Sequence, residues 1–314
     1  MSEPLVHIRN FRMDFGSQTV VRDLSFDVNA GETFGFLGSN GSGKTTTLRA
    51  LLGIYQATAG TLHIAGKAFE PRDGVRLGYL PEERGLYKKE SVLDVMVYFG
   101  MLKGLSRQGA TSRSLAYLER VSLAAKASTR VDKLSGGQQQ KIQLGVTIMN
   151  DPELLILDEP TQGFDPVNRR LLMDIIEDQK RSGATVIMVT HQMEEVERLC
   201  DRVILLKDGV AEAYGTIEDV QDLYGGTIIR LHHSGTLPAS DLYDVTMAEH
   251  DYAELTPKAG TDETDILRDL VHQGVEVRSF TTARTSLEEI FIKVYGEQDL
   301  GENTLSEQNL PVGA

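Results

Sequence analysis

Between residues 5 and 30, apolar and polar positions alternate in short runs, LVHIRNFRMDF and VVRDLSFDV. This is the pattern of half-buried antiparallel strands with turns at Gly16–Ser17 and Asn29–Gly31. The texture then changes to continuous apolar runs: TFGFLG (33–38), VRLGYL (75–80), ELLILDE (153–159) and TVIMVTH (185–191). Runs of that length with no polar alternation predict strands buried on both faces. Helix-like segments separate them, so the pattern predicts an α/β fold around a parallel sheet covered on both sides.

Residues 91–130 read as mostly helical. Ser91 and Asp94 fit an N-terminal capping pattern, and Leu93, Met96, Val97 and Met101 share one face. RVILLKDGVAEAYG predicts a hairpin about Asp208–Gly209. Beyond Gly225 the pattern changes again. TIIRLHH and VTMAEHDYAEL read as strands, 262–273 as a helix ending at Gly274, VEVRSF as a strand, and 286–295 as a helix. That last helix opens on a capping box, Ser286 with Glu289, and is expected to stop at Gly296. Leu287, Ile290, Phe291 and Val294 form its apolar stripe. The expected organisation is a first domain at 1–225, a small α+β domain at 226–296, and a disordered tail at 297–314.

Charge sharpens that division. The chain carries 46 acidic and 32 basic residues, and 16 and 5 of these lie from Leu231 onward. The C-terminal module thus holds a net −11 of the total −14, which argues against nucleic acid as its partner. The single cysteine, Cys200, rules out an internal disulfide and reads as a small buried apolar residue in a reducing compartment. No run approaches the ~20 apolar residues of a membrane span. The N-terminus lacks the pattern of a signal peptide.

Four motifs carry chemistry. Gly38-Ser39-Asn40-Gly41-Ser42-Gly43-Lys44-Thr45-Thr46 follows a strand and opens a helix, as a phosphate-binding loop does. Its glycines let backbone N–H groups converge on phosphate oxygens at a helix N-terminus. Lys44 adds a compact positive charge, and the Thr45 hydroxyl can ligate Mg²⁺. LLILDE ends in Asp158, suited to holding Mg²⁺ through water, and Glu159, suited to general-base work. His191 ends the last apolar run, and ligands of open parallel sheets gather where strands end. The fourth motif, Leu134-Ser135-Gly136-Gly137-Gln138 before a helix, read alone is an ordinary N-cap, or else a second anion site.

Taken together, these motifs resemble the ABC ATPase family over residues 5–220, with the signature string LSGGQ intact between the two nucleotide motifs. The resemblance implies a P-loop NTPase cassette with a mostly parallel core sheet, an antiparallel β subdomain and a helical subdomain. It implies an ATPase that binds ATP and Mg²⁺ and closes as a homodimer or heterodimer. By the same resemblance, Phe15 corresponds to the aromatic that stacks on adenine and Ser39–Thr46 to the phosphate loop. His191 corresponds to the histidine at the γ-phosphate. Ser135, Gly136, Gly137 and Gln138 correspond to the stretch that reaches the partner's nucleotide. Asp165, in PTQGFDP, corresponds to the acid at the dimer interface. One position departs from the family pattern: GYLPEERGLY places Glu82 where a glutamine is usual, adding a carboxylate beside Asp158 and Glu159. Glu82 is either a metal ligand or part of a solvated turn.

The stretch VRSFTTARTSLEEIFIKVYG is similar to the end of an accessory domain on ABC-2-type exporter ATPases. The expected function is therefore export through separate ABC-2-type membrane permease subunits, from the cytoplasmic face of the membrane. The other class is a soluble ABC ATPase that acts by ATP-gated dimerisation on a macromolecular partner. A single cassette without a coiled coil disfavours it.

Overall fold

A computed structural model describes residues 4–70, 75–83 and 85–302, with side chains as far as Gly296. Contacts divide the chain into two units, Met1–Tyr214 and Gly215–Ala314. The division falls before Gly225 because α7 (Ile217–Tyr224) packs on the last helix of the second unit.

In the first unit β1 (Val6–Phe15) and β2 (Gln18–Val28) form the antiparallel hairpin expected from their alternation. After β3 (Thr33–Gly38) and α1 (Lys44–Leu51), β4 (Ala59–Ile64) adds antiparallel to the far side of β1. Then follow β5 (Leu77–Leu80), α2 (Val92–Leu102), α3 (Arg107–Arg120), α4 (Gly136–Ile148), β6 (Leu154–Asp158), α5 (Pro166–Arg181), β7 (Thr185–Val189), α6 (Met193–Leu199), β8 (Arg202–Lys207) and β9 (Val210–Thr216). The nine strands make one sheet in the order β4-β1-β2-β9-β8-β3-β7-β6-β5. β8, β3, β7, β6 and β5 are parallel throughout, and β9 lies between β8 and the antiparallel part, meeting β2 at Asp23 with Val210. Asp208 (φ 49°) and Gly209 (φ 78°) are both left-handed, the turn that a two-residue hairpin requires.

Every residue of β3, β6 and β7 is buried. Each large side chain among them contributes ~1.5–3 kcal/mol of burial, so these strands anchor the unit. Their register puts Phe36 beside Val189 and Val189 beside Asp158. β6 and β7 therefore end level, β3 runs two residues further to Gly38, and the loops that follow all three open at one edge.

Three apolar runs are shorter as strands than expected. VRLGYL is extended only from Leu77, ELLILDE only over Leu154–Asp158, and TVIMVTH only to Val189, which leaves Glu159, Thr190 and His191 in the loops that follow. Ser91 caps α2 by accepting from Asp94 N, as its spacing predicted. Between α3 and α4 the contact is close. The Tyr117 hydroxyl donates to Lys141 O at 2.6 Å, and its ring covers Gly145 so tightly that a Cβ there would lie 2.3 Å from Cε1.

The second unit carries a four-stranded antiparallel sheet, order β11-β12-β10-β13. It comprises β10 (Thr227–Ser234), β11 (Tyr243–Ala248), β12 (Tyr252–Pro257), α8 (Glu263–His272), β13 (Glu276–Arg284) and α9 (Leu287–Glu302). Two expectations are corrected here. VTMAEHDYAEL is a hairpin of two strands, because the polar stretch Glu249–Asp251 turns the chain and Glu249 N donates to Tyr252 O at 2.7 Å. The last helix does not stop at Gly296. That residue keeps helical backbone at a cost of ~1 kcal/mol relative to alanine, and the helix runs on to Glu302, through the start of the expected tail. The rest of that tail, from 303, lies outside the described residues. The Ser286–Glu289 capping box is present in both directions. Leu287, Ile290 and Val294 of the apolar stripe are buried, Phe291 is partly so, and α9 packs on α7.

Because Gly145 has no room for a side chain beneath Tyr117, Gly145→Ala should lower stability by about 1–3 kcal/mol through overpacking. Thermal unfolding checks this. An unchanged Tm would mean that Tyr117 swings away freely.

Candidate nucleotide site

The loop after β3 is built to bring backbone close to a ligand. Gly38 adopts φ 155°, and a Cβ there would collide with Leu206 O at 2.4 Å and Ser42 Oγ at 2.5 Å, so only glycine fits. Gly43, also left-handed, is the N-cap of α1 and offers no capping side chain. The N-terminal N–H groups of that helix are thus left for an anion. Ser42 Oγ is buried without a partner, a donor awaiting an acceptor. Lys44 Nζ donates to Gly38 O (2.7 Å) and Ser39 O (2.8 Å), which folds its charge over the loop.

Level with this loop, Thr45 Oγ1 lies 3.5 Å from Asp158 Oδ2. Asp158 is buried, and its carboxyl is pushed up to about 6. Burial is the main cause, followed by the negative charges of Glu82 and Glu159, with Lys44 and Thr45 opposing. Glu82 is exposed in the loop after β5, yet its charge reaches Asp158. Gln143 of α4 donates to Pro81 O and Glu83 O on either side of it. This surplus of negative charge beside a threonine hydroxyl fits a hard divalent cation with oxygen ligands.

Glu159 has a left-handed backbone, φ 48°, which costs a non-glycine residue ~1 kcal/mol or more. Its N–H donates to Val189 O at 2.8 Å, tying the end of β6 to the end of β7. The Glu159 carboxylate accepts a 2.9 Å hydrogen bond from Nδ1–H of the exposed His191 ring. The structure thus brings together Ser39–Thr46, Asp158, Glu159, Glu82 and His191.

Other candidates stand apart from this cluster. Phe15 sits half-exposed at the end of β1, edge-on to Tyr55 at 5.4 Å between centroids. Tyr55 accepts from Arg49 of α1 at 3.1 Å. Sequence reading did not single out Tyr55. Ser135 and Gln138 cap α4 reciprocally, and the neighbours of this signature stretch are Phe164, 3.2 Å from a Cβ built on Gly137, and Asp165, whose charge reaches Lys141. Gly136 is the first residue of that helix. Asp165 caps α5, accepting from Val167 N and Asn168 N at 3.0 Å, and these bonds with Asn168 hold its carboxyl below the usual range.

Sequence reading also missed a buried carboxylate, Glu195. It is four residues past His191 and bonded to Thr161 and Thr190. Glu195 lies inside α6 and His191 in the loop before it, so no periodicity of the sequence links the two.

Two family models match the chain: one described as ABC transporter, over residues 21–162, and one described as ATP-binding protein DrrA1-3-like, C-terminal domain, over 215–295. The linearmycin resistance ATP-binding protein LnrL of Bacillus subtilis (strain 168) is 31% identical over 93% of this chain and 98% of its own length. A Nod factor export ATP-binding protein I of Burkholderia lata is 39% identical over 70% of this chain and 76% of its own. A solved structure of the ATP binding subunit of an ABC transporter superposes with TM-score 0.65 at 28% identity, covering 70% of this chain and 93% of that one. No helix among the described residues is long and apolar enough to cross a membrane.

The raised Asp158 carboxyl has a consequence for the nucleotide-free chain. Its folded value, about 6, lies above the ordinary 3.8, so the fold disfavours the ionised form. Stability should rise as pH falls from 6 toward 4, and at pH 7 the charge costs about 1–3 kcal/mol. Asp158→Asn should therefore raise the Tm of the nucleotide-free protein at pH 7 while abolishing ATP turnover. A lower Tm would show that the carboxylate is held by favourable contacts.

Proposed function

The chain belongs to the ABC transporter ATP-binding proteins, whose cassette binds and hydrolyses ATP, and we propose that it powers export through separate ABC-2-type membrane subunits from the cytoplasmic face of the membrane. The observation that carries the chemical part is the Glu159–His191 hydrogen bond level with the Thr45–Asp158 pair at one end of the sheet. The export part is supported by the second family match and by relatives named for export and for resistance.

In this reading Ser39–Thr46 wrap the triphosphate with backbone N–H groups, and Lys44 leaves its two carbonyl partners to take the β- and γ-phosphates. Thr45, Asp158 and Glu82 hold Mg²⁺, which when bound supplies positive charge to the phosphate oxygens. Glu82 differs from a glutamine here in bringing charge as well as an oxygen, which strengthens the cation's hold and deepens the repulsion without it. Glu159 accepts a proton from the attacking water. The His191 Nδ1–H orients the Glu159 carboxylate, and Nε2 faces the γ-phosphate. Phe15 stacks on adenine, braced by Tyr55. Ser135, Gly136, Gly137 and Gln138 present the N-terminus of α4 to the nucleotide of a second copy or homologous subunit, and Asp165 lies at that same junction.

Glu159→Gln should bind ATP with near-normal affinity and lose about 10²–10⁴-fold in kcat. Nucleotide binding and steady-state turnover measured side by side would decide this, and unchanged turnover removes Glu159 from the role. Lys44→Ala should lose nucleotide affinity and turnover together, and tight ATP binding by that variant would contradict the loop assignment. For export, the chain should co-purify with a membrane permease subunit that stimulates its ATPase. Recovery with only soluble partners would overturn the reading.

A further inference from the structure

Behind the Glu159–His191 pair lies a second acidic group that the hydrolysis scheme above does not use. Glu195, in α6, is only 1% exposed, among the most buried charged side chains in the chain. Its Oε1 accepts from the Thr161 hydroxyl, and its Oε2 accepts from the Thr190 hydroxyl at 3.4 Å. Arg169 of α5 brings Nε, buried without a hydrogen-bond partner, to 3.6 Å from the same Oε1. Thr161 is two residues past Glu159, and Thr190 is the residue before His191. The Thr190 hydroxyl also accepts from Gln192 N at 3.1 Å, fixing the other side of His191. One carboxylate therefore grips both loops that deliver the two reactive side chains, and α5, which starts at the Asp165 cap.

We infer that Glu195 is a positioning residue for ATP hydrolysis: through Thr161 and Thr190 it holds the Glu159 carboxylate and the His191 ring in hydrogen-bonding register. The inference rests on the general-base reading of Glu159.

Two physical points favour a positioning role over simple structural filling. A buried ionisable group costs stability unless it is matched by several bonds. Burial raises the Glu195 carboxyl above its ordinary value although Thr161, Arg169 and Thr190 all oppose it, so the fold carries a group it holds at a cost. Moreover, both threonines lie on loops rather than in the sheet, where no strand pairing fixes them. Glu159 holds a left-handed backbone in one of those loops, a conformation that needs support from its surroundings. Releasing the grip should let the 2.9 Å Glu159–His191 contact open, and a shift of an ångström at a reacting group can cost 10²-fold.

The test measures kcat, KM and ATP affinity for full-length Glu195→Gln, Glu195→Ala, Glu159→Gln and the double variant Glu159→Gln with Glu195→Gln. The expected result is a kcat loss of about 10–100-fold for Glu195→Gln, with ATP affinity and KM within about twofold of wild type. In the Glu159→Gln background the same change should cost little more, because the positioned base is already gone. Glu195→Ala could unfold the chain, and the isosteric Glu195→Gln then decides alone. Wild-type kcat in Glu195→Gln overturns the inference. So does a full additional loss in the double variant, which marks a merely structural role. If instead Glu159→Gln itself turns over normally, the general-base reading has failed, a result that the single Glu195 variants cannot produce.

Discussion

Parallel strands buried on both faces have little freedom in register, because a one-residue slip would invert every side chain. In this chain β3, β6 and β7 are buried along their whole length and run in the same direction, with Phe36, Val189 and Asp158 side by side near their ends. The phosphate-binding loop, the Asp158–Glu159 pair and the Thr190–His191 loop are therefore carried to one edge by packing alone. The chemistry of the site then follows from what stands at the strand ends.

What stands there is in electrostatic conflict. Three carboxylates, Glu82, Asp158 and Glu159, share a region in which Asp158 is buried, and Lys44 compensates only in part. A fold selected for stability alone would not keep this arrangement. It makes sense as a site whose charge balance is completed by its ligands, at the expense of the empty protein. The left-handed Glu159 and the buried, unpartnered Ser42 Oγ belong to the same pattern of local cost around a nucleotide site.

The signature stretch obeys a different constraint. Ser135 and Gln138 satisfy each other in a capping box, and Gly137 and Lys141 of the same helix lie near Phe164 and Asp165. Its residues are thus settled locally in a single chain. The N-terminus of α4 is preorganised, and Tyr117 clamps the helix at Gly145. The acidic second unit has its own core of Ile229, Leu231, Ala253, Leu255, Ile266 and Leu270. Among its described residues no Asp, Glu, Lys or Arg side chain is buried in that core.

The amino-acid sequence by itself determined the buried strands, the phosphate-binding loop, the acidic pair after β6 and the capping residues Ser91, Ser135 and Ser286. Each of these depends on local periodicity or on a side chain bonding a few residues away. It also located the hairpin at Asp208–Gly209, because two left-handed residues have a compositional signature. Other features were decided only by tertiary structure. The polar turn at Glu249–Asp251 was hidden inside what reads as one strand. Gly296 looked like a stop, yet the helix continues through it, since one glycine costs only ~1 kcal/mol and a continuing helix outweighs that. The union of Thr161, Arg169, Thr190 and Glu195 spans 34 positions of sequence between Thr161 and Glu195. No local pattern marks it, because burial and three partners from separate elements meet only when the sheet is assembled.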